Sequence, residues 1–538
     1  MGTRRIAVLA LLVGGVAWAD DAGVPPAADD DAGAAGAPTP TPTDDEEGEI
    51  GSDGGMELPA APADRTKRDV WLVEQLDSAI RARPLLITAQ VSATVVDVAS
   101  GTVVWKHHAD RPLNLASVTK VLTTAAALHA LGPGFRWRTS LLGEKLDPES
   151  GTVEGDLFIR GRGDPTLTLA GLQELAQALE WRGVTEVTGD VVFDGSYFDL
   201  VDEPPRYADQ PKERAGYRAP IGAASLERNA VTVVVAADRF GYGLADVKLD
   251  PPLGDYVRLV DPTVVTVAGG RTRIHVATIQ RRDHIELRVS GQILADEGVW
   301  FQRRRIDDPV RMFGESLKTA LAERGIRVKG KKIARGITPA TAVLLAEHES
   351  PPLADVIRTM AKTSDNYMAE TVLKTIGAES RTLPAPPAVP PPATWDDGIS
   401  AVKRYLSEQV GLDLTDVRYE NGSGLYDSTA IPSAAVAQVL SSAWRDFRIG
   451  PDLAAALATG GVDGTLRRRF KDPRLRGRIR AKTGTLAQVS SLAGYAGTDS
   501  GHPLAFAVIV NAMAPEARGE ARALQDTIAA LCVAYTAP

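Results

Sequence analysis

Three short strings, Ser117-Val-Thr-Lys120, Ser364-Asp-Asn366 and Lys482-Thr-Gly484, carry side chains that can act together only in a fold that brings the chain back to one point three times. Ser117 and Ser364 lie 247 positions apart. That is far beyond any ordinary loop, so the chain between them must fold as a unit of its own. Each string is weak alone, since Ser400 and Lys403 repeat the Ser-x-x-Lys spacing without the companion motifs in order. The weight rests on the three together.

Local patterning gives each string a place. Residues 91–97 and 102–107 alternate around Ala99-Ser100-Gly101 as a β-hairpin. Residues 116–131 are an apolar helical run ended by Gly132-Pro133-Gly134, which sets Ser117 in the first turn and Lys120 one turn on, on the same face. Residues 353–376 are helical with a break at 362–366, residues 382–395 are a Pro-rich loop, and residues 398–410 form a helix that holds the Ser400 decoy. Strands at 480–485, 491–497 and 504–511 and a closing helix at 516–535 complete an α/β (α+β) unit of helices packed on an antiparallel sheet. Between 140 and 338 the pattern changes to strand-rich runs at 157–160, 186–193, 230–236 and 285–289, with one helix at 169–181. The expected organisation is a catalytic domain at 66–139 and 339–538, a β-rich domain at 140–154 and 219–338, and a small α/β domain nested at 155–218.

These residue types in this arrangement point to nucleophilic chemistry. A serine hydroxyl needs a neighbour to take its proton. For Lys120 to do so its pKa must drop from about 10.4 to 7 or 8, some 4 kcal/mol supplied by desolvation and a nearby cation such as Lys482. Ser364 can pass a proton to a leaving amine, and Asn366 can bond Lys120 and a substrate amide, while Asp365 points elsewhere. Lys482 with the Thr483 and Thr485 hydroxyls can hold a carboxylate, and Gly484 lets substrate approach the backbone. The amides of Ser117 and Thr485 suit an oxyanion, each donor being worth about 3–4 kcal/mol in the transition state. This chemistry calls for no metal and no cofactor. The seven histidines lack metal-ligand spacing, there is no Gly-x-Ser-x-Gly elbow, and Gly161-Arg-Gly163 lacks the third glycine of a dinucleotide loop.

The ends of the chain speak to location. Arg4 and Arg5 precede an apolar run at 6–16 and Ala17-Trp18-Ala19, the pattern of an export signal at 1–19. Residues 20–65 then read as an acidic Ala/Pro/Gly/Asp linker, with thirteen Asp and Glu and no Lys or Arg between Asp20 and Asp64. The net charge of −9 belongs to that stretch, and the remainder carries about +2. Neither half suggests a nucleic-acid partner, no later run reaches membrane-spanning length, and the single Cys532 cannot form an internal disulfide.

The triplet occurs in class A β-lactamases and penicillin-binding proteins. The wider chain resembles the class C low-molecular-mass penicillin-binding proteins, D-Ala-D-Ala carboxypeptidase/endopeptidases of the DacB type, from about residue 66 onward. Further shared strings are Gly161-Arg-Gly-Asp-Pro165, Phe193-Asp-Gly-Ser-Tyr-Phe198, Tyr217-Arg-Ala-Pro220, Asn421-Gly-Ser-Gly-Leu425 and Gly461-Val-Asp-Gly-Thr-Leu466. The resemblance implies a penicillin-binding-protein/β-lactamase-like fold split by two nested domains. It makes Ser117 the acylated nucleophile, Lys120 its base, Ser364 and Asn366 the proton-transfer and placement residues, and Lys482, Thr483 and Thr485 the ligands of a terminal carboxylate and oxyanion. It also implies peptidoglycan stem peptides as substrate, β-lactams as covalent inhibitors, a periplasmic location, and leaves a homodimer open. Two positions depart from the family: Asn421 stands where an Asp is usual, and either Asp209 or Glu213 could be the acid that precedes the tyrosine matching Tyr217. A β-lactamase or esterase, or a silent wall-binding scaffold, are the rival readings.

Overall fold

The computed structural model describes residues 59–381, 390–497 and 503–536. The expected export signal, most of the acidic linker and the first eight residues of the Pro-rich loop lie outside the described residues. The linker ends one residue earlier than expected, because the Asp64 carboxylate accepts from Lys67 N at 2.9 Å and caps a helix spanning Arg65–Arg81.

The catalytic half is built on a six-stranded antiparallel sheet in the order Val103–His107, Gln90–Asp97, Leu504–Asn511, Val489–Ala496, Ile479–Leu486, Ala458–Thr459. Its two central strands are buried on both faces along nearly their whole length. One face takes the terminal helices Arg65–Arg81 and Arg518–Thr536, closing a core around Leu72, Leu76, Phe506 and Ile528. The other takes the helical half, where the Thr119–Leu131 helix runs through the middle. Apolar or small on every side, from Val121 to Leu128, this helix can only be stable buried. It ends at Gly132, whose φ of +77° suits glycine. The Ser400 decoy is exposed on a helix that begins at Trp395 and not at 398, because Thr394 and Asp397 form a capping box.

Sheet membership redraws the insertion. The strands Arg138–Asp147 and Val343–Glu349 pair with each other, so the chain leaves and re-enters the catalytic half side by side. The expected limits at 140 and 338 therefore move outward. The expected cut at 154/155 falls inside the strand Thr152–Gly161, which pairs along Arg138–Asp147. Both belong to one seven-stranded sheet with the helices Leu169–Trp181 and Pro309–Glu323 packed together beside it. The β-rich part, with strands from Ala230–Ala236 through Val299–Arg305, interrupts that α/β unit. The nesting is thus the reverse of the expected one, since pairing between strands as far apart in sequence as Arg138–Asp147 and Val343–Glu349 leaves no local trace. The run at 186–193 is two strands, Glu186–Val187 and Val191–Asp194, parted at Gly189, whose N donates to Gly155 O at 2.7 Å.

The insertion is fastened to the catalytic half by a buried cation. Lys374, on the helix Asn366–Ser380, is fully buried; its Nζ donates to Asp199 Oδ1 at 2.5 Å and Val201 O at 2.8 Å and lies 4.6 Å from the Trp395 ring centre. Backbone bonds join Asp199 N to Ala393 O and Ala393 N to Tyr197 O. Removing the carboxylate strands the ammonium in an apolar niche. Asp199→Ala should therefore cost about 3 kcal/mol, read as a lower denaturation midpoint; an unchanged midpoint would contradict this account of the joint.

Candidate active site

The three motifs converge. Lys120, fully buried, donates from Nζ to Ser117 Oγ at 2.9 Å, Asn366 Oδ1 at 2.7 Å and the Ser423 carbonyl at 3.0 Å. Lys482, equally buried, donates to Ser364 Oγ at 2.8 Å and the Thr483 carbonyl at 2.8 Å. Ser117 to Lys120 is a helical turn begun by a 3₁₀ segment, Ala116–Val118, that runs into the Thr119–Leu131 helix, as the spacing requires. Ser364 and Asn366 sit where the helices Leu353–Lys362 and Asn366–Ser380 meet. Lys482, Thr483, Gly484 and Thr485 lie along the strand Ile479–Leu486.

Both serines depend on unusual backbone. Ala116 and Ser364 have φ of +47° and +59°, a left-handed conformation that costs an L-residue about 1–3 kcal/mol and needs the surroundings to enforce it. Around Ala116 that enforcement is visible. Asn511 accepts Asn114 N at 2.8 Å through Oδ1 and donates Nδ2 to Asn114 O at 2.9 Å, while Ser491 Oγ donates to Leu115 O at 2.6 Å. The central sheet thus grips the two residues before Ala116. At the second motif, Asp365 caps its helix by accepting Met368 N at 2.9 Å, and Arg228 of the insertion donates to it at 2.5 Å. Burial opposes ionisation of Asp365, but the guanidinium groups of Arg228 and Arg303 outweigh it and hold the carboxyl below the usual range. Asp365 points away from the site, as expected, and its role is to hold Ser364 and Asn366 in place.

Several contributors escaped sequence reasoning. The Ser423 carbonyl comes from the Asn421–Leu425 loop, which Glu370 organises by accepting Gly422 N at 3.0 Å and Ser423 N at 2.8 Å. Burial pushes the Glu370 carboxyl up, against these hydrogen bonds and the charge of Lys120. Asn421 accepts Gly424 N at 2.9 Å and Ser428 Oγ at 3.0 Å, so an amide performs the loop-closing work at the position where the family usually has a carboxylate. Thr465 accepts from Thr483 Oγ1 at 2.9 Å. A signal for Glu370 was present: Asn366, Glu370 and Lys374 recur every fourth residue, one polar line on a buried helix. Of the two acids left open, Glu213 reaches the catalytic half, accepting from the Tyr426 hydroxyl, whereas exposed Asp209 pairs with Arg206.

Two glycines let the segments approach. A Cβ on Gly424 would lie 1.9 Å from Ala116 O, and one on Gly484 would lie 2.3 Å from Ser491 Oγ, 2.6 Å from Leu115 O and 3.0 Å from Ser117 N. The strand carrying Lys482 therefore runs against the serine's own amide. Gly484→Ala must push them apart, and a displacement of about 1 Å should slow penicillin acylation by roughly 100-fold while the protein stays folded. Stopped-flow labelling of the variant at wild-type rate would contradict the assigned contact.

Comparison with known proteins gives the chain its family. The D-Ala-D-Ala carboxypeptidase 3 (S13) family pattern matches residues 72–532. The D-alanyl-D-alanine carboxypeptidase of Actinomadura sp. (strain R39) is 31% identical over 478 residues, covering 86% of this chain and 85% of that protein. The D-alanyl-D-alanine carboxypeptidase DacB of Haemophilus influenzae is 27% identical over 415 residues, covering 74% and 80%. The crystal structure of penicillin binding protein 4 (dacB) from Haemophilus influenzae shares the fold with a TM-score of 0.68 at 22% identity, covering 84% of this chain and 99% of that one. Matched over most of its length in sequence and in fold, the chain belongs to the D-Ala-D-Ala carboxypeptidase 3 (S13) family.

Proposed function

We propose that the protein is an exported serine DD-peptidase that removes D-Ala from peptidoglycan stem peptides, and cleaves D-Ala cross-links, through an acyl-enzyme on Ser117. The observation that carries this reading is the set of three oxygens around Lys120 Nζ. A neutral amine has two N–H bonds and one lone pair. With the Asn366 amide oxygen and the Ser423 carbonyl taking the two N–H bonds, the lone pair is left facing Ser117 Oγ. Lys120 is thereby oriented as the base, and the proton it takes leaves Ser117 free to attack the carbonyl carbon of the penultimate D-Ala. The C–N bond of the terminal D-Ala then breaks, and its amine takes a proton through Ser364, which Lys482 holds by hydrogen bond. Water later cleaves the ester.

In this reading Lys482, Thr483 and Thr485 receive the terminal carboxylate, and the amides of Ser117 and Thr485 receive the oxyanion beside Gly484. Asn366 serves twice, on Lys120 and on the substrate amide. Glu213, tied to Tyr426 just after the Asn421–Leu425 loop, is the acid we assign to a cationic group on the stem. The N-terminal pattern supports delivery to the periplasm, and among the described residues no helix is long and apolar enough to cross a membrane. A silent scaffold would have no need to keep Ser117, Lys120, Asn366 and Lys482 in mutual contact.

The test is release of D-Ala from a soluble pentapeptide ending in D-Ala-D-Ala. Wild type should turn it over, and Ser117→Ala or Lys120→Ala should lower kcat at least about 1,000-fold, as loss of a nucleophile or its base does. Turnover that survives Ser117→Ala would overturn the assignment.

A further inference from the structure

A row of arginines leads into the site along the turn at 473–477 and the strand Ile479–Leu486 that carries Lys482. From Arg467 to Lys482 the sequence has seven Arg, two Lys and one acid, Asp472, and every second residue from Arg474 to Lys482 is basic. The residues interleaved with them, Leu475, Ile479 and Ala481, are buried. Arg480 lies opposite Tyr495 and Lys482 opposite Ala493, both part of the helix-side core, so the two cations share the sheet face on which Ser364 sits. Arg478 continues the ladder, its carbonyl accepting Gly497 N at 3.0 Å. Arg480 and Lys482 stand about 7 Å apart along the strand Ile479–Leu486, and Arg476 lies in the turn at 473–477 that leads into it. Arg469 and Arg474 are engaged by Asp526 and Asp472. Arg468, Lys471, Arg476, Arg478 and Arg480 are exposed, and among the described residues no ion pair engages them.

Fold stability gives no reason for this row, since five exposed like charges repel one another. Its continuity with Lys482 gives a functional one. From this charge pattern we infer that Arg476, Arg478 and Arg480 form a docking surface for the carboxylates of neighbouring stem peptides on a peptidoglycan polymer while one stem occupies the cleft. The inference rests on the proposed DD-peptidase reading and adds to it that polymeric wall, more than a free peptide, is the preferred substrate. A lipid surface fits less well, because interfacial sites pair basic residues with exposed apolar ones, and here the apolar partners point into the core. Binding through several weak contacts on one polymer gains from effective concentration and is screened steeply by salt.

The experiment uses the full chain with R476Q/R478Q/R480Q, and R476K/R478K/R480K as the charge-preserving control. Co-sedimentation with purified sacculi is measured against ionic strength, beside vesicles of anionic phospholipid. Penicillin labelling of each variant confirms a folded site, and turnover of the soluble pentapeptide serves as the reference for chemistry. The glutamine variant should bind sacculi at least about tenfold more weakly at low salt and lose most of the salt dependence, the lysine variant should bind as wild type, and pentapeptide kcat/KM should stay within about twofold. Equal sacculus binding by the glutamine variant and wild type would overturn the inference. So would a loss shared equally by the lysine variant, or a loss confined to the vesicles, which would assign the row to a lipid surface. If wild type fails to hydrolyse the pentapeptide, the enzymatic reading fails, while sacculus binding still reports on the surface by itself.

Discussion

Everything in this protein that bears on chemistry is arranged around one buried lysine nitrogen. Lys120 Nζ touches Ser117 on its own helix, Asn366 on a second helix and the Ser423 carbonyl on a loop some 300 residues away in sequence. A buried amine of this kind is tolerable only with its acceptors satisfied, so each of the three segments must arrive at its place. Glu370 fixes the loop that brings Ser423, the central sheet fixes the residues before Ala116, and Asp365 fixes the cap that carries Asn366. The left-handed backbone at Ala116 and Ser364 is then the local cost of a geometry that the surrounding packing enforces.

The insertion takes part in that enforcement. Arg228 engages Asp365 next to Ser364, and Lys374 on the same helix is sealed by Asp199 and the aromatic rings of Phe198 and Trp395. Tyr207, fully buried, sits within 3.4 Å of Ser423 Oγ and beneath the Arg218 guanidinium. The strings Phe193-Asp-Gly-Ser-Tyr-Phe198 and Tyr217-Arg-Ala-Pro220 therefore belong to the joint between insertion and catalytic half, and the insertion acts as a brace for the helix Asn366–Ser380.

What could be read from sequence divides along a physical line. Ser117 and Lys120 were legible because one helical turn fixes their separation, and the strand at 504–511 because a buried apolar run announces itself. Lys482 and Ser364 were matched by motif order, and their contact is what the fold adds. A backbone carbonyl such as that of Ser423 has no side-chain signature, and the four-residue spacing of Asn366, Glu370 and Lys374 marks a polar line without naming the two loop amides that Glu370 holds. The nesting of the insertion was misread for the same reason: the pairing of Arg138–Asp147 with Val343–Glu349 is long-range, and each strand alone is consistent with several partners. Asn421 shows the reverse case, a departure from the family pattern that the loop accommodates through its amide oxygen.

The central claim is that Ser117 is the atom donor of the acyl-enzyme and that the surrounding contacts exist to make it so. Its most direct test is intact mass and peptide mapping after incubation with a penicillin. The account predicts a single adduct of one penicillin mass on the peptide that contains Ser117, absent in Ser117→Ala. An adduct on another serine, such as Ser364 or Ser400, or no adduct on the folded wild-type protein, would contradict it.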